Sequence, residues 1–302
     1  MIIALVVVML MVGCATSKTD DPVKPIPNGE LAIKLNVNGR EFSDGDRVGL
    51  YVVNYKGDAL EGIAATGNQV DNAPFVYDGG RWTTSPTVYY LDNDTKVDMI
   101  AYYPHKEEVK NISSLDFSVA TDQTAGYASS ELMWARQRKV MPTDKAVDMG
   151  LFPCTARVTL TLVRGDGWTD DEWESATKSA TLCNTITEAS LNLVTGDVKL
   201  VGNSPSDIKA YRSGDGFTAV VLPQDISASK SLFRVEVAGE SYTLNTSERL
   251  KITAGGTCHF ELRVNKRGPV PDSEKLSGGI IGTRYSVDYN TGQQSETVNT
   301  KA

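Results

Sequence analysis

The segment Leu31–Val37 reads LAIKLNV, and in it apolar and polar side chains alternate. This period of two places the apolar side chains on one face of an extended chain, which is the pattern of a half-buried β-strand. A more continuous apolar run, VGLYVV at Val48–Val53, follows and predicts a central strand. The apolar side chains of the first segment are Leu31, Ile33, Leu35 and Val37.

The same signature recurs along the chain, with Gly, Asp and Asn turns between the apolar segments. A helix is predicted at Trp168–Leu182, because Thr169 and Glu172 form a capping box at its start. Near the C-terminus, the alternating segment Tyr285–Tyr289 is another strand candidate. The predicted fold class is therefore all-β, built of antiparallel sandwiches with one short helix. Eight further strands are predicted: Val88–Leu91, Val97–Tyr103, Leu115–Val119, Ala156–Val163, Ala189–Val194, Phe217–Leu222, Leu232–Val237 and Cys258–Val264.

The length of 302 residues predicts two domains, because a single core seldom grows to that size. The polar string Pro142–Asp148 places the boundary between Met141 and Phe152, near Gly150. A net charge of −8 argues against nucleic acid as a partner, since phosphates demand clustered Lys and Arg. The presence of only 2 His residues leaves little for metal-centred or His-based acid/base chemistry, so an enzyme is the weaker hypothesis.

The N-terminus has the pattern of an export signal. Residues Met1–Val12 are all apolar, too few to span a bilayer, which needs about 20, but enough for a signal h-region. The string LMVGC that ends at Cys14 resembles the lipobox of bacterial lipoproteins, in which the Cys is lipidated. Residues 15–29 are polar and contain Pro, as a tether would. The segment 1–14 therefore predicts a signal peptide and a lipid anchor in the outer membrane.

Few groups of residues in the sequence have the pattern of a disulfide, metal or catalytic site. Three Cys remain besides Cys14, so at most one disulfide can form among Cys154, Cys183 and Cys258, and the spacing leaves the pair open. No C-x-x-C spacing supports a zinc site with His259, and no cofactor motif occurs, so neither a metal nor a cofactor is predicted. Carboxylates that a hydrolase could use fit a helix N-terminus and a turn instead; they are Asp170, Asp171, Glu172, Glu174, Asp44 and Asp46.

Several strings together resemble the fimbrillin-like proteins of Bacteroidales, lipoprotein subunits of type V pili. They run in order from about residue 30 to 265: DRVGLYV from Asp46, YDGGRW from Tyr77, AYYP from Ala101, SELMWA from Ser130, Phe152–Leu162, VVLPQ from Val220 and Leu250–Val264. The resemblance implies two transthyretin-like β-sandwiches, at residues 30–150 and 151–266, followed by a divergent tail at 267–302. It also implies a cell-surface fimbrial subunit or adhesin.

The resemblance further implies assembly by donor-strand exchange. An Arg-specific protease removes the N-terminal strand, here Leu31–Val37, and an extended segment of a neighbouring subunit fills the groove. Arg40 is the first candidate for cleavage and Arg47 the second. The expected partners are other fimbrial subunits, the outer membrane through the lipid anchor, and a host or bacterial surface receptor.

Three alternatives stay open at this point. The chain can be an anchor or tip protein that is never cut, with Arg40 an ordinary turn residue. It can be a monomeric carbohydrate-binding lipoprotein that stacks sugars on Trp82 or Trp134. It can also be a hydrolase that uses a pair of the carboxylates.

Overall fold

The computed structural model describes residues 29–36, 41–214 and 216–266, together with the backbone of two strands at 281–287 and 294–301. The segment 1–28 with Cys14, and likewise Val37 and Arg40, lie outside the described residues. No helix among the residues described is long and apolar enough to cross a membrane.

The described residues form mostly strands, which confirms the all-β prediction. Up to residue 153 the strands are β1 (Ile33–Asn36), β2 (Arg47–Lys56), β3 (Ala59–Leu60), β4 (Val70–Asp78), β5 (Arg81–Thr83), β6 (Val97–Tyr103), β7 (Leu115–Ser118), β8 (Met133–Val140), β9 (Val147–Gly150) and β10 (Phe152–Pro153). A 3₁₀ turn at Ala128–Ser130 precedes β8.

The remaining elements begin at Ala156. The helix α1 (Asp170–Ser175) follows the first of these strands. The strands are β11 (Ala156–Arg164), β12 (Lys178–Thr185), β13 (Glu188–Leu191), β14 (Val198–Leu200), β15 (Ser206–Lys209), β16 (Tyr211–Ser213), β17 (Gly216–Val221), β18 (Gln224–Ile226), β19 (Ser231–Val237), β20 (Glu240–Asn245), β21 (Leu250–Ile252), β22 (Thr257–Val264), β23 (Ile281–Val287) and β24 (Gln294–Lys301).

Two large sheets organise the chain. The first has the order β10-β8-β6-β2-β4-β5, with β3 paired to β2, and the second has the order β16-β17-β11-β22-β23-β24. A sheet of order β15-β12-β19-β20 and a small sheet, β18-β21, lie in the C-terminal part. A further small sheet, β14-β13-β7, pairs two C-terminal strands with β7 from the N-terminal half. The strands β1 and β9 form a parallel pair of their own.

The central strands of the first sheet are buried on both faces. From β2 and β6, Leu50 and Met99 pack in the smaller apolar cluster, which lies within residues 31–151. Their neighbours Tyr51, Ile100 and Tyr102 point the other way, into the larger cluster with most of the C-terminal strands. The larger cluster thus takes residues from both sides of position 150, and the domain boundaries at 30, 150 and 266 stay a prediction.

A buried ion pair joins the first sheet to the β13–β14 turn. Asp98 is fully buried, and its Oδ2 accepts a hydrogen bond from Arg136 Nη2 at 2.6 Å. The same guanidinium donates from Nη1 to the carbonyl oxygen of Val194 at 2.6 Å. Beside it, Trp134 Nε1 donates to the carbonyl oxygen of Leu193 at 2.8 Å, and its ring lies directly against Gly196. These contacts fix the turn on the sheet.

A second junction is made by the amide of Gln123, which is fully buried. Its Oε1 accepts from Val220 N at 2.8 Å and its Nε2 donates to Val220 O at 2.8 Å. The side chain thereby occupies both backbone groups of a residue in β17, as a neighbouring strand would.

Two predicted elements differ from the structure. The helix begins as predicted, with the Thr169–Glu172 capping box, but it ends at Ser175. The rest of the segment, from Lys178, is β12, because Ala180 and Leu182 alternate with polar residues and pair with β19. The predicted strand Val88–Leu91 forms only an isolated bridge between Tyr89 and Glu30.

We expect Gly49→Ala to destabilise the fold by about 1 to 3 kcal/mol, because overpacking a filled core forces its neighbours apart. A Cβ at Gly49 would lie 2.2 Å from Tyr102 Cε1 and 2.6 Å from Asn72 Oδ1. Gly62→Ala is the matched control, since nothing lies within 4 Å of its Cβ position. Denaturant unfolding measures both variants, and equal midpoints would contradict this account of the packing.

We expect Arg136→Met to destabilise the fold by about 3 kcal/mol, because it leaves the carboxylate of Asp98 buried without its cation. Arg138→Met removes the same charge from an exposed position of β8 and should change stability by less than about 0.5 kcal/mol. Thermal unfolding of both variants tests the difference. A similar loss in each would mean that net charge, and not the buried pair, is responsible.

Candidate functional site

The strand β1 lies in a slot between two segments of the chain. It runs parallel to β9, with Ile33 opposite Val147 and Leu35 opposite Met149. Hydrogen bonds run from Val147 N to Ala32 O at 2.9 Å and, beyond β9, from Leu151 N to Asn36 O at 2.8 Å. β1 is therefore hydrogen-bonded to β9 along its whole length.

The residues just before β1 are hydrogen-bonded to a second segment of the chain. Leu31 N donates to Val88 O at 2.9 Å, and Tyr90 N donates to Gly29 O at 3.1 Å. Residues 88–90 thus form the second wall of the slot. The slot is a place where a strand gains backbone partners on both sides.

The inward face of β1 is apolar and belongs to the smaller cluster. Leu31 is 1% exposed, Ile33 4% and Leu35 6%. Full burial of such a side chain contributes about 1.5 to 3 kcal/mol, so removal of β1 would open an apolar groove. The same cluster includes Leu50, Val52, Phe75, Met99, Ala101, Met149 and Leu151.

The outward face of β1 is polar. Lys34 and Asn36 are exposed, and Asn36 Nδ2 donates to Asp148 Oδ1 on β9. Lys34 lies directly opposite Asp148 in the parallel register. Sequence analysis missed β9 and Asp148 because they fall in the segment interpreted as a domain boundary, although Val147, Met149 and Leu151 alternate there.

Arg47 is held within the central sheet. It begins β2, pairs with Val76 on β4, and its Nη1 lies 2.6 Å from Glu107 Oε1. The next residue, Val48, is fully buried. The peptide bond after Arg47 is thus part of the central sheet.

Between these two arginines, residues 41–46 are anchored by Phe42. Its ring packs edge-on against Trp82, with centroids 4.9 Å apart, and it also contacts Tyr77 and Tyr103. Asp46 accepts a hydrogen bond from the hydroxyl of Tyr103 at 2.9 Å. The chain after position 40 therefore has its own attachment to the fold.

The aromatic residues considered for sugar binding are engaged in packing. Trp82 is 8% exposed and lies in the aromatic cluster around Phe42. Trp134 is half-buried, with its ring against Gly196 and its indole nitrogen bonded to Leu193. Trp82 therefore offers no open ring face on which a sugar could stack, and one side of the Trp134 ring is covered by Gly196.

Groups with catalytic potential lie apart or have structural partners. Burial lowers the pKa of both His105 and His259, and burial raises the pKa of the Cys154 thiol to about 12, far from the reactive range. Across the described residues, no group of three or more His, Cys, Asp or Glu could hold a metal ion. Four of the candidate carboxylates accept hydrogen bonds or pair as follows: Asp44 with Gly79 N, Asp46 with Ser43 N, Asp170 with Arg164 and Glu172 with Thr169 and Lys266.

Known proteins of similar sequence point to one family. Residues 36–280 match the family described as fimbrillin-like. The "Putative fimbrium subunit Fim1C" of Bacteroides uniformis is 27% identical over 288 residues, which cover 89% of this chain and 91% of that protein. The "Putative fimbrium tip subunit Fim1C" of Bacteroides ovatus is 26% identical over 136 residues, 41% of this chain and 24% of that protein.

Solved structures share the fold. A cell adhesion protein from Bacteroides uniformis superposes with a TM-score of 0.65 at 20% identity, over 86% of this chain and 98% of that one. The tip fimbrial protein Mfa3 of Porphyromonas gingivalis, with a C-terminal truncation, gives a TM-score of 0.51 at 10% identity, over 87% and 100%. The family match extends over most of the sequence, and the chain therefore belongs to the fimbrillin-like family, whose relatives are fimbrial subunits and cell-adhesion proteins.

Proposed function

We propose that this chain is a non-catalytic fimbrial subunit that is exported as a lipoprotein, anchored through Cys14, and joined to its neighbours by donor-strand exchange. The observation that carries the proposal is the slot of β1, where the segment 29–36 is hydrogen-bonded on two edges and buries three apolar side chains. Strand addition at such a slot satisfies a row of backbone groups and fills apolar pockets in one step.

The pairing of β1 would allow this strand to be removed without breaking the large sheet. β1 pairs with β9 and not with the large sheet, so its loss leaves the pairing of β2 and β6 intact. β9, in contrast, has no other strand partner among the described strands. An emptied slot would therefore have one loose wall, and an incoming strand would restore its order.

We favour Arg40 over Arg47 as the cleavage position. A cut after Arg40 would release all of β1 and leave Phe42 in its aromatic cluster. A cut after Arg47 would also remove Phe42 and Asp46, and the protease would have to unpair the start of β2 from β4.

A second segment of the chain has the pattern of β1. Residues 281–287 read IGTRYSV and align without gaps with LAIKLNV at residues 31–37. Both have apolar or β-branched residues at the odd positions, a cation at the fourth position and a hydrogen-bond donor at the sixth. The backbone of residues 281–287 is β23, beyond β22 in the second sheet. We infer that this segment of a neighbouring copy can fill the slot.

The polymerising function predicts a specific effect of Arg40→Ala. In cells that assemble the fimbria, mass spectrometry of the surface form of the wild-type chain should show a start at Glu41, and gels should show SDS-resistant ladders. Arg40→Ala should abolish both, because it removes the basic side chain that an Arg-specific protease recognises. Arg47→Ala is the control and should leave both unchanged. An intact, lipidated chain without ladders in the wild type would support an uncut anchor or tip protein instead.

The separability of β1 can be tested on the uncut chain. The double variant Ile33→Asp and Leu35→Asp should displace β1 from the slot, because burying unpaired charges in an apolar cluster is strongly unfavourable. The amides of Val147 and Leu151 should then lose protection from hydrogen exchange, whereas the amide of Ile100 in β6 should keep it. Lys34→Gln, on the outward face, should change neither. Loss of protection in β6 as well would show that β1 is integral to the core, which would contradict strand exchange.

A further inference from the structure

The pockets under β1 cannot by themselves fix the register of a strand. A slip by one residue turns the apolar face outward and is strongly disfavoured. A slip by two residues keeps the apolar side chains inward, because Leu31, Ile33, Leu35 and Val37 are all apolar. The pockets therefore select apolar side chains and do not distinguish strands by the charge of their outward side chains.

The outward face supplies that distinction at one carboxylate. In the observed register Asp148 lies opposite Lys34 and accepts a hydrogen bond from Asn36 Nδ2. The backbone of Asp148 is itself held in place, since Gln137 Nε2 on β8 donates to its carbonyl oxygen at 3.1 Å. A strand that slips by two residues toward its C-terminus would bring Ala32 opposite Asp148 and Lys34 into the present place of Asn36. A cation would then still flank the carboxylate, so Asp148 selects for charge and not for register.

We propose that Asp148 selects the charge class of the strand that the slot accepts. The partner is an extended peptide that runs parallel to β9, with apolar residues at alternate positions. At the outward positions that flank Asp148 it carries hydrogen-bond donors or cations. A carboxylate at either position is rejected by the like charge. The partner role rests on the proposed function, whereas the role of Asp148 toward β1 does not.

The first test is a double-mutant cycle on the full, uncut chain. Asn36→Asp should increase the opening of β1 about fivefold to tenfold, measured by hydrogen exchange at Val147 and Leu151, because two exposed carboxylates then face each other. Adding Asp148→Asn should restore most of the protection. Asp144→Asn removes the same charge from an exposed position nearby and should restore none. Independent effects of the two substitutions would overturn the role of Asp148.

The second test offers labelled peptides to the chain after cleavage at Arg40. The peptide of residues 29–38 should displace the resident strand and bind about fivefold to tenfold more tightly than the same peptide with Asn36→Asp, and Asp148→Asn in the chain should remove this preference. Equal binding of both peptides would overturn the specificity and leave strand exchange standing. Binding of neither peptide would instead count against the proposed function, and the cycle on the uncut chain would still decide the role of Asp148.

Discussion

The structure depends on the burial of β2 and β6 on both faces. Their alternate side chains belong to two different apolar clusters, so one strand pair supports the layer around β1 and the large C-terminal core at the same time. This requirement explains the composition of β6, in which all residues from Val97 to Tyr103 are buried. It also explains why the carboxylate of Asp98, the single charge in β6, accepts several hydrogen bonds. The donors are the guanidinium of Arg136, the hydroxyl of Tyr55 and the backbone amide of Lys139.

The attachment of β1 follows a different principle. β1 adds buried apolar area to the smaller cluster but is not paired with the large sheet. Its contribution to stability is therefore largely independent of the strand pairing in that sheet. Its one regular partner, β9, is equally short. Local opening of β1 can therefore occur without loss of the pairing between β2 and β6 and without global unfolding.

The sequence predicts local elements well where a long run has one period. Val97–Tyr103 and Ala156–Val163 lie in strands as predicted, and the capping box marks the start of α1 correctly. It does not mark the end, because strand pairing with β19 overrides local helix preference from Lys178. β9 escapes detection because its four residues fall in the polar segment interpreted as a domain boundary.

What the sequence cannot supply is pairing between distant residues. The slot of β1 is formed by segments more than 50 and more than 100 positions away in the chain, and no local pattern specifies such a partner. For the same reason the sequence presents Arg47 only as the second candidate for cleavage. Its place in β2 and its partner Glu107 become visible only when the sheet is assembled.

The amide of Gln123 has a consequence for the edge of β17. An uncovered sheet edge can pair with a strand of another chain, because backbone groups do not distinguish one partner from another. Gln123 covers the backbone groups of Val220 with a single side chain. It thereby removes one position at which a second chain could add a strand to β17.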